Sequence, residues 1–200
     1  LHRPSTAATL NLAAVAAQGA RLFEAFDADY SADLLEAATT AWAAALENPE
    51  IYAPAADGDN GGGPYDDDDV SDEFYWAAAE LYLTTGDKEY LDFLQASPVH
   101  KADSFPVGGF SWDALDAIAK INLATVDSAL PDRNEIVQQV TAGAQGILEV
   151  QQSQPFGIPL PDNGFVWGSN SQVLNNIVVL GAGYDVSGNA DFLGAAQESM

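Results

Sequence analysis

Residues 82–91 read YLTTGDKEYL, and residues 184–193 read YDVSGNADFL. Both follow one pattern: Tyr82, Gly86, Tyr90 and Leu91 recur as Tyr184, Gly188, Phe192 and Leu193 at the same spacing. An aromatic closing one segment, a glycine, and an apolar pair opening the next describe a tight turn between two helices. Glycine suits the turn because it takes the left-handed conformation that ends a helix at no steric cost. A looser copy, Phe26, Tyr30, Leu34 and Leu35, starts 56 residues before Tyr82, and the two strong copies start 102 apart, close to two periods of 51. A skipped copy then falls near residue 130, where ATVDSALPDRNEIV again reads as helix, short turn, helix. The chain is expected to be all-α and built from four αα-hairpins.

Working outward, Ser5 caps an Ala-rich helix reaching about Phe26, and a second helix runs from Ser31 to about Glu47. A third opens at Ser71 with Asp72 and Glu73 in its first turn, where acids favour the positive end of the helix dipole. Helices are further expected at about 87–96, 112–127, 132–152, 169–185 and 189–200, with Pro131 at the front of the sixth. Turns within the pairs are short, whereas the links between pairs, 48–70, 97–111 and 153–168, are long. In an array of antiparallel hairpins this alternation puts all long links on one rim. Links of that length in a compact domain are usually functional or disordered. These hold Tyr52, Tyr65, Phe105, Phe110, Phe156, Phe165, Trp167 and the acidic run Asp66–Asp69. An open solenoid and a closed α/α toroid both satisfy the pattern.

Thirty acids against six bases give a net charge of −24, with twenty Asp and ten Glu. Such a surface repels phosphate backbones and anionic lipid, which argues against nucleic-acid and membrane partners. It suits a neutral substrate, bound cations, a saline medium, or simple solubility. The absence of cysteine excludes disulfides and thiol catalysis. No apolar run approaches the roughly 18–20 residues that cross a bilayer. No signal sequence is evident at Leu1, and the chain is read as a piece of a longer one.

The stretches RPSTAATLNLAAVAAQGARLF (3–23), DDVSDEFYWAAAELYLTTGDKEYLDFL (68–94) and WGSNSQVLNNIVVLGAGYDVSGNADFLGAAQES (167–199) resemble consecutive blocks of glycoside hydrolase family 9. The likeness is greatest to the bacterial subgroup whose catalytic domain follows an immunoglobulin-like module. It covers nearly all 200 residues in order. The resemblance implies an (α/α)6 barrel, of which this chain supplies about eight of twelve helices as a single partial domain, residues 1–200. It further implies a secreted, monomeric protein with other modules, hydrolysing β-1,4-glucan by an inverting mechanism. In that chemistry one carboxylate activates a water and a carboxylic acid protonates the leaving oxygen, about 6.5–9.5 Å apart. The family's catalytic aspartates sit in an Asp-Ala-Gly-Asp-type motif that this chain lacks, and its glutamate in an Asn-Glu block near the domain's C-terminus. Both are expected outside the chain, before Leu1 and after Met200. The Asn-Glu of RNEIV (133–137) lies mid-helix in an outer pair, and Glu135 is rejected as the acid.

Several residues remain as candidates. Asp72 and Glu73, beside Asp66–Asp69, fit either dipole compensation on a solvated face or a hard cation, which takes six to eight oxygens. The resemblance implies structural calcium held by Asp72 and Glu73, with Asp113 of FSWDALD as a further ligand and Asp68 and Asp69 as the loop contributors. Trp167, just before a helix start, fits either a half-buried rim residue or an indole that stacks on sugar. The resemblance favours substrate, with Phe110 assisting; Trp112 is balanced between assistance and packing. Trp42 and Trp76 are expected in the core, and Asn170, Asn175 and Asn176 are expected to bond backbone and loops. Two readings compete with the glucanase: an (α/α)6 carbohydrase for another glycan, and a non-catalytic, calcium-stabilised helical module that binds glycans or proteins.

Overall fold

The computed structural model describes residues 3–58 and 66–200. Tyr65 and the glycine-rich residues 59–64 of the first long link, together with Leu1 and His2, lie outside the described residues. Among the described residues eight α-helices follow one another: α1 (Thr6–Phe23), α2 (Ala28–Glu47), α3 (Ser71–Thr85), α4 (Lys88–Ala96), α5 (Asp116–Thr125), α6 (Arg133–Ser153), α7 (Ser169–Ser187) and α8 (Ala190–Glu198). Among the described residues there is no strand, and no helix is long and apolar enough to cross a membrane. The chain divides into two compact units, 1–100 and 101–200, each containing two hairpins.

The glycine turns form as their spacing predicts. Gly86 has φ 73° and donates its N–H to the Tyr82 carbonyl at 2.8 Å. Gly188 has φ 70° and donates to the Tyr184 carbonyl at 2.7 Å. The Tyr-x3-Gly spacing is thus the last helical hydrogen bond, closed by a residue that a side chain would strain. The looser copy behaves differently. Residues 24–27 form the turn, Asp27 caps α2 by accepting from Tyr30 N–H at 3.0 Å, and Tyr30 lies inside the helix. Without a glycine the chain reverses on an Asp cap instead, so α1 stops at Phe23 and Phe26 is exposed. Two other boundaries move. Helix α5 starts at Asp116 rather than 112, because residues 111–114 close a separate turn, with Ala114 N–H on the Ser111 carbonyl at 3.1 Å. Pro131 stands ahead of α6, whose first residue is Arg133.

In the first unit α1 packs on α2 and α3, and α3 on α4. The buried face of α1 is Leu10, Ala13, Ala14, Ala16, Ala17 and Ala20, small enough for close helix approach. Trp42 sits edge-on to Phe74, Tyr90 and Phe93, with ring centroids 5.7, 5.8 and 5.0 Å away. Each such pair adds about 0.5–1.5 kcal/mol beyond burial, so Trp42 is the keystone of a packed cluster. Trp76 is buried and donates to Glu80 Oε1 at 3.3 Å, a core role as its helical spacing predicts. Tyr75 and His100 are also buried, with the phenol oxygen 2.9 Å from Nδ1.

In the second unit α7 packs against α6 and α8, and α5 against α6. A Cβ at Gly183 would lie 2.5 Å from Ala144 Cβ, so α6 and α7 meet at a distance that admits no side chain there. Lys120 is fully buried on α5 and donates to the Ala102 carbonyl at 2.5 Å, fastening the start of the link that leads to α5.

Candidate metal centre and aromatic rim

Helix α3 opens on two acids. Asp72 and Glu73 occupy its first turn, where unpaired N–H groups leave partial positive charge. The preceding loop folds back through side-chain turns: Asp67 Oδ1 accepts from Asp69 N–H at 2.9 Å, and Asp69 Oδ1 accepts from Ser71 N–H at 3.0 Å. The result brings carboxylate oxygens of Asp67, Asp72 and Glu73 within 4.8 Å of one another. Glu73 is only 2 % exposed, and its Oε2 has no hydrogen-bond partner. Burial, then the neighbouring Asp72, pushes its carboxyl up to about 9.

Three convergent carboxylates around a buried oxygen without a donor are unfavourable as they stand. The same arrangement suits a hard divalent cation, whose oxygen ligands lie about 2.3–2.6 Å from the ion and hence under roughly 5 Å from each other. The residues present therefore form a possible acidic metal site. The loop carboxylate within the trio is Asp67. Asp69 instead spends its carboxylate on Ser71, whose side-chain and backbone hydrogen bonds hold its pKa below the usual range. Asp68 is exposed and outside the trio. Four consecutive aspartates offer no local signal for choosing among them; the alternating side-chain turns decide it. Asp113 lies in the second unit, exposed, with the Ser111 hydroxyl on its carboxylate.

The second unit carries the aromatic rim. The link into α7 turns twice before the helix, with Val166 N–H on the Gly164 carbonyl (2.9 Å) and Ser169 N–H on the Val166 carbonyl (3.1 Å). Trp167 lies within the second turn, 93 % exposed, so it is not a core residue in this structure. Phe110 is only 7 % exposed and leaves little ring face for a ligand, while its carbonyl accepts from Asn175 Nδ2 at 2.8 Å. Trp112, two residues on, is 45 % exposed. Asn176 donates to the Val107 and Pro159 carbonyls at 3.0 and 2.6 Å, so both links of this unit are bonded to α7. At Gly109 (φ 85°) a Cβ would meet Gln172 Cβ at 2.9 Å, which makes glycine a condition of that approach. Glu135 is exposed in the first turn of α6.

Helices paired as αα-hairpins, eight among the described residues and with no strand there, define an all-α protein of the (α/α)6 barrel class. A solved metagenome-derived glycoside hydrolase family 9 endoglucanase superposes with a TM-score of 0.88 at 29 % identity, over 99 % of this chain and 36 % of that one. The chain belongs to glycosyl hydrolase family 9, whose family model it matches over residues 1–200. It is 51 % identical over 202 residues to Endoglucanase C of Cellulomonas fimi, covering all of this chain and 18 % of that protein. It is 41 % identical over 223 residues to a cellulose 1,4-beta-cellobiosidase of Acetivibrio thermocellus, covering all of this chain and 25 % of that protein. The chain thus spans about a third or less of these relatives.

Proposed function

We propose that this chain is part of a secreted enzyme that hydrolyses β-1,4-glucosidic bonds in cellulose or a related β-glucan. The observation that carries the reading is the match of residues 1–200 to a family whose similar members are named endoglucanase and cellobiosidase. The inverting chemistry needs a carboxylate base and a carboxylic acid on opposite sides of the scissile bond. Those groups are supplied by parts of the full-length protein other than this chain, which contributes scaffold, rim and metal centre. Trp167 gives a sugar an uncharged, exposed indole face, while the buried Phe110 is fastened to α7 through its carbonyl. A neutral polysaccharide is also the polymer that a chain of net charge −24 does not repel.

We assign the trio Asp67, Asp72 and Glu73 to structural calcium. Hard carboxylate oxygens on a loop and a helix start are the donors calcium takes, and among the described residues no imidazole or thiolate joins them. Calcium, when bound, supplies the positive charge that lets these three acids ionise together. The three residues in turn tie the end of the first long link to α3.

The test is release of reducing ends from soluble β-1,4-glucan by the full-length protein, with the 200-residue segment assayed beside it. Release by the full-length protein and none by the segment is the expected result. Release by the segment would refute the placement of the catalytic carboxylates. No release by either would favour a carbohydrase for another glycan or a non-catalytic binding module, since hairpins, metal centre and rim serve both equally.

A further inference from the structure

Asn176 is 1 % exposed on α7, and its single amide nitrogen bonds two carbonyls from different links, Val107 at 3.0 Å and Pro159 at 2.6 Å. Both partners are acceptors, so the NH2 group must face them and the side-chain orientation is fixed. Its Oδ1 is buried without a hydrogen-bond partner. An unpartnered buried carbonyl costs about 1–3 kcal/mol, so net stability alone is a poor reason for this residue. What the residue does is geometric. One link continues from Val107 through Gly109, which lies against Gln172, and Phe110, whose carbonyl is held by Asn175, to the half-exposed Trp112. The other continues from Pro159 to the exposed Trp167.

We propose that Asn176 is a positioning residue for glucan binding: it fixes the span between the Trp112 link and the Trp167 link, so that both indoles stack on one sugar chain at separate subsites. The inference rests on the proposed function above. Stacking on a rigid polymer requires a fixed distance between platforms, and misplacement forfeits one of the two contacts. A sugar too short to reach both platforms is indifferent to that distance.

The experiment compares Asn176→Ala with the unsubstituted full-length protein on soluble β-1,4-gluco-oligosaccharides, a disaccharide and a hexasaccharide, by calorimetric affinity and by kcat and KM. The hexasaccharide should lose affinity and gain KM by about tenfold, the worth of roughly one contact, with kcat nearly unchanged. Disaccharide binding should not move. In the Asn176→Ala background the penalty for Trp112→Ala should shrink, because that indole is already out of register. Should Asn176→Ala fail to fold, Asn175→Ala, which releases only the Phe110 carbonyl, carries the same comparison. Equal losses on both sugars, or additive penalties for Trp112 and Asn176, would overturn the inference while leaving the glucanase reading intact. No affinity for glucan in the unsubstituted protein would overturn both.

Discussion

The guanidinium of Arg21 on α1 meets the carboxylate of Glu80 on α3 at 2.8 Å, and the Glu80 side chain is wholly buried. The pair is enclosed by further bonds: Arg21 Nη1 donates to Thr84 Oγ1 at 2.8 Å, Thr84 to the Ala17 carbonyl at 2.8 Å, and Trp76 to Glu80. A buried charge pair contributes little net stability, yet removing one partner strands the other. Arg21→Ala should therefore destabilise the full-length protein by about 3 kcal/mol, read as a lower midpoint in urea. Replacing both residues by apolar ones of similar volume should recover most of that loss. An unchanged midpoint for Arg21→Ala would mean that Glu80 finds another partner.

Calcium and the trio can be tested by linkage. An ion that binds only the folded state stabilises it by about 2.7 kcal/mol at a hundredfold excess over Kd. Chelation should lower Tm, and Glu73→Gln should remove most of the chelator's effect. The substitution keeps the shape of the buried residue and deletes its charge. A Tm indifferent to chelator would refute the calcium assignment.

Lys120 should leave its mark at alkaline pH. Burial lowers its pKa to about 8, with Asp116 and Asp103 opposing the shift. Below about pH 8 both folded and unfolded chains carry the proton, and the buried charge costs its full amount. Between about 8 and the unfolded value of 10.5 the unfolded chain binds more protons, so this residue's contribution rises with pH. Lys120→Met should lack that contribution. Stability measured from pH 7 to 10 should accordingly show a gap between variant and parent that narrows as pH rises. A gap independent of pH would put the lysine's pKa near its ordinary value.

Trp167→Ala probes the rim. Because the side chain is almost fully exposed, Tm should stay put. Affinity for a long β-1,4-gluco-oligosaccharide should fall by roughly 1–3 kcal/mol, a range taken from aromatic stacking on nucleobases. Calorimetry on the full-length protein reads both quantities. Unchanged affinity would remove Trp167 from the binding surface.

Much of this architecture is legible in the sequence, and the division between what is and what is not is physical. The glycine turns at Gly86 and Gly188 could be read because a left-handed residue and its closing hydrogen bond span only four positions. The turn at residues 24–27 falls a few residues from where the apolar spacing predicts it, since an Asp cap and a glycine turn both satisfy that spacing. Trp42 and Trp76 announced the core through helical periodicity. Tertiary structure alone selected Asp67 from four adjacent aspartates, because the choice depends on which carboxylate the folded loop aims at Glu73. It alone buried Phe110 while leaving Trp167 exposed, although both are aromatics in long links. It alone joined Val107 and Pro159 through Asn176, at separations of 69 and 17 residues. Sequence by itself determined what local backbone conformation and periodic burial can encode: helices, turns, the hairpin array and the family. Direction, burial and convergence of side chains across distant links were decided only by folding, because those contacts exist only once the helices have packed.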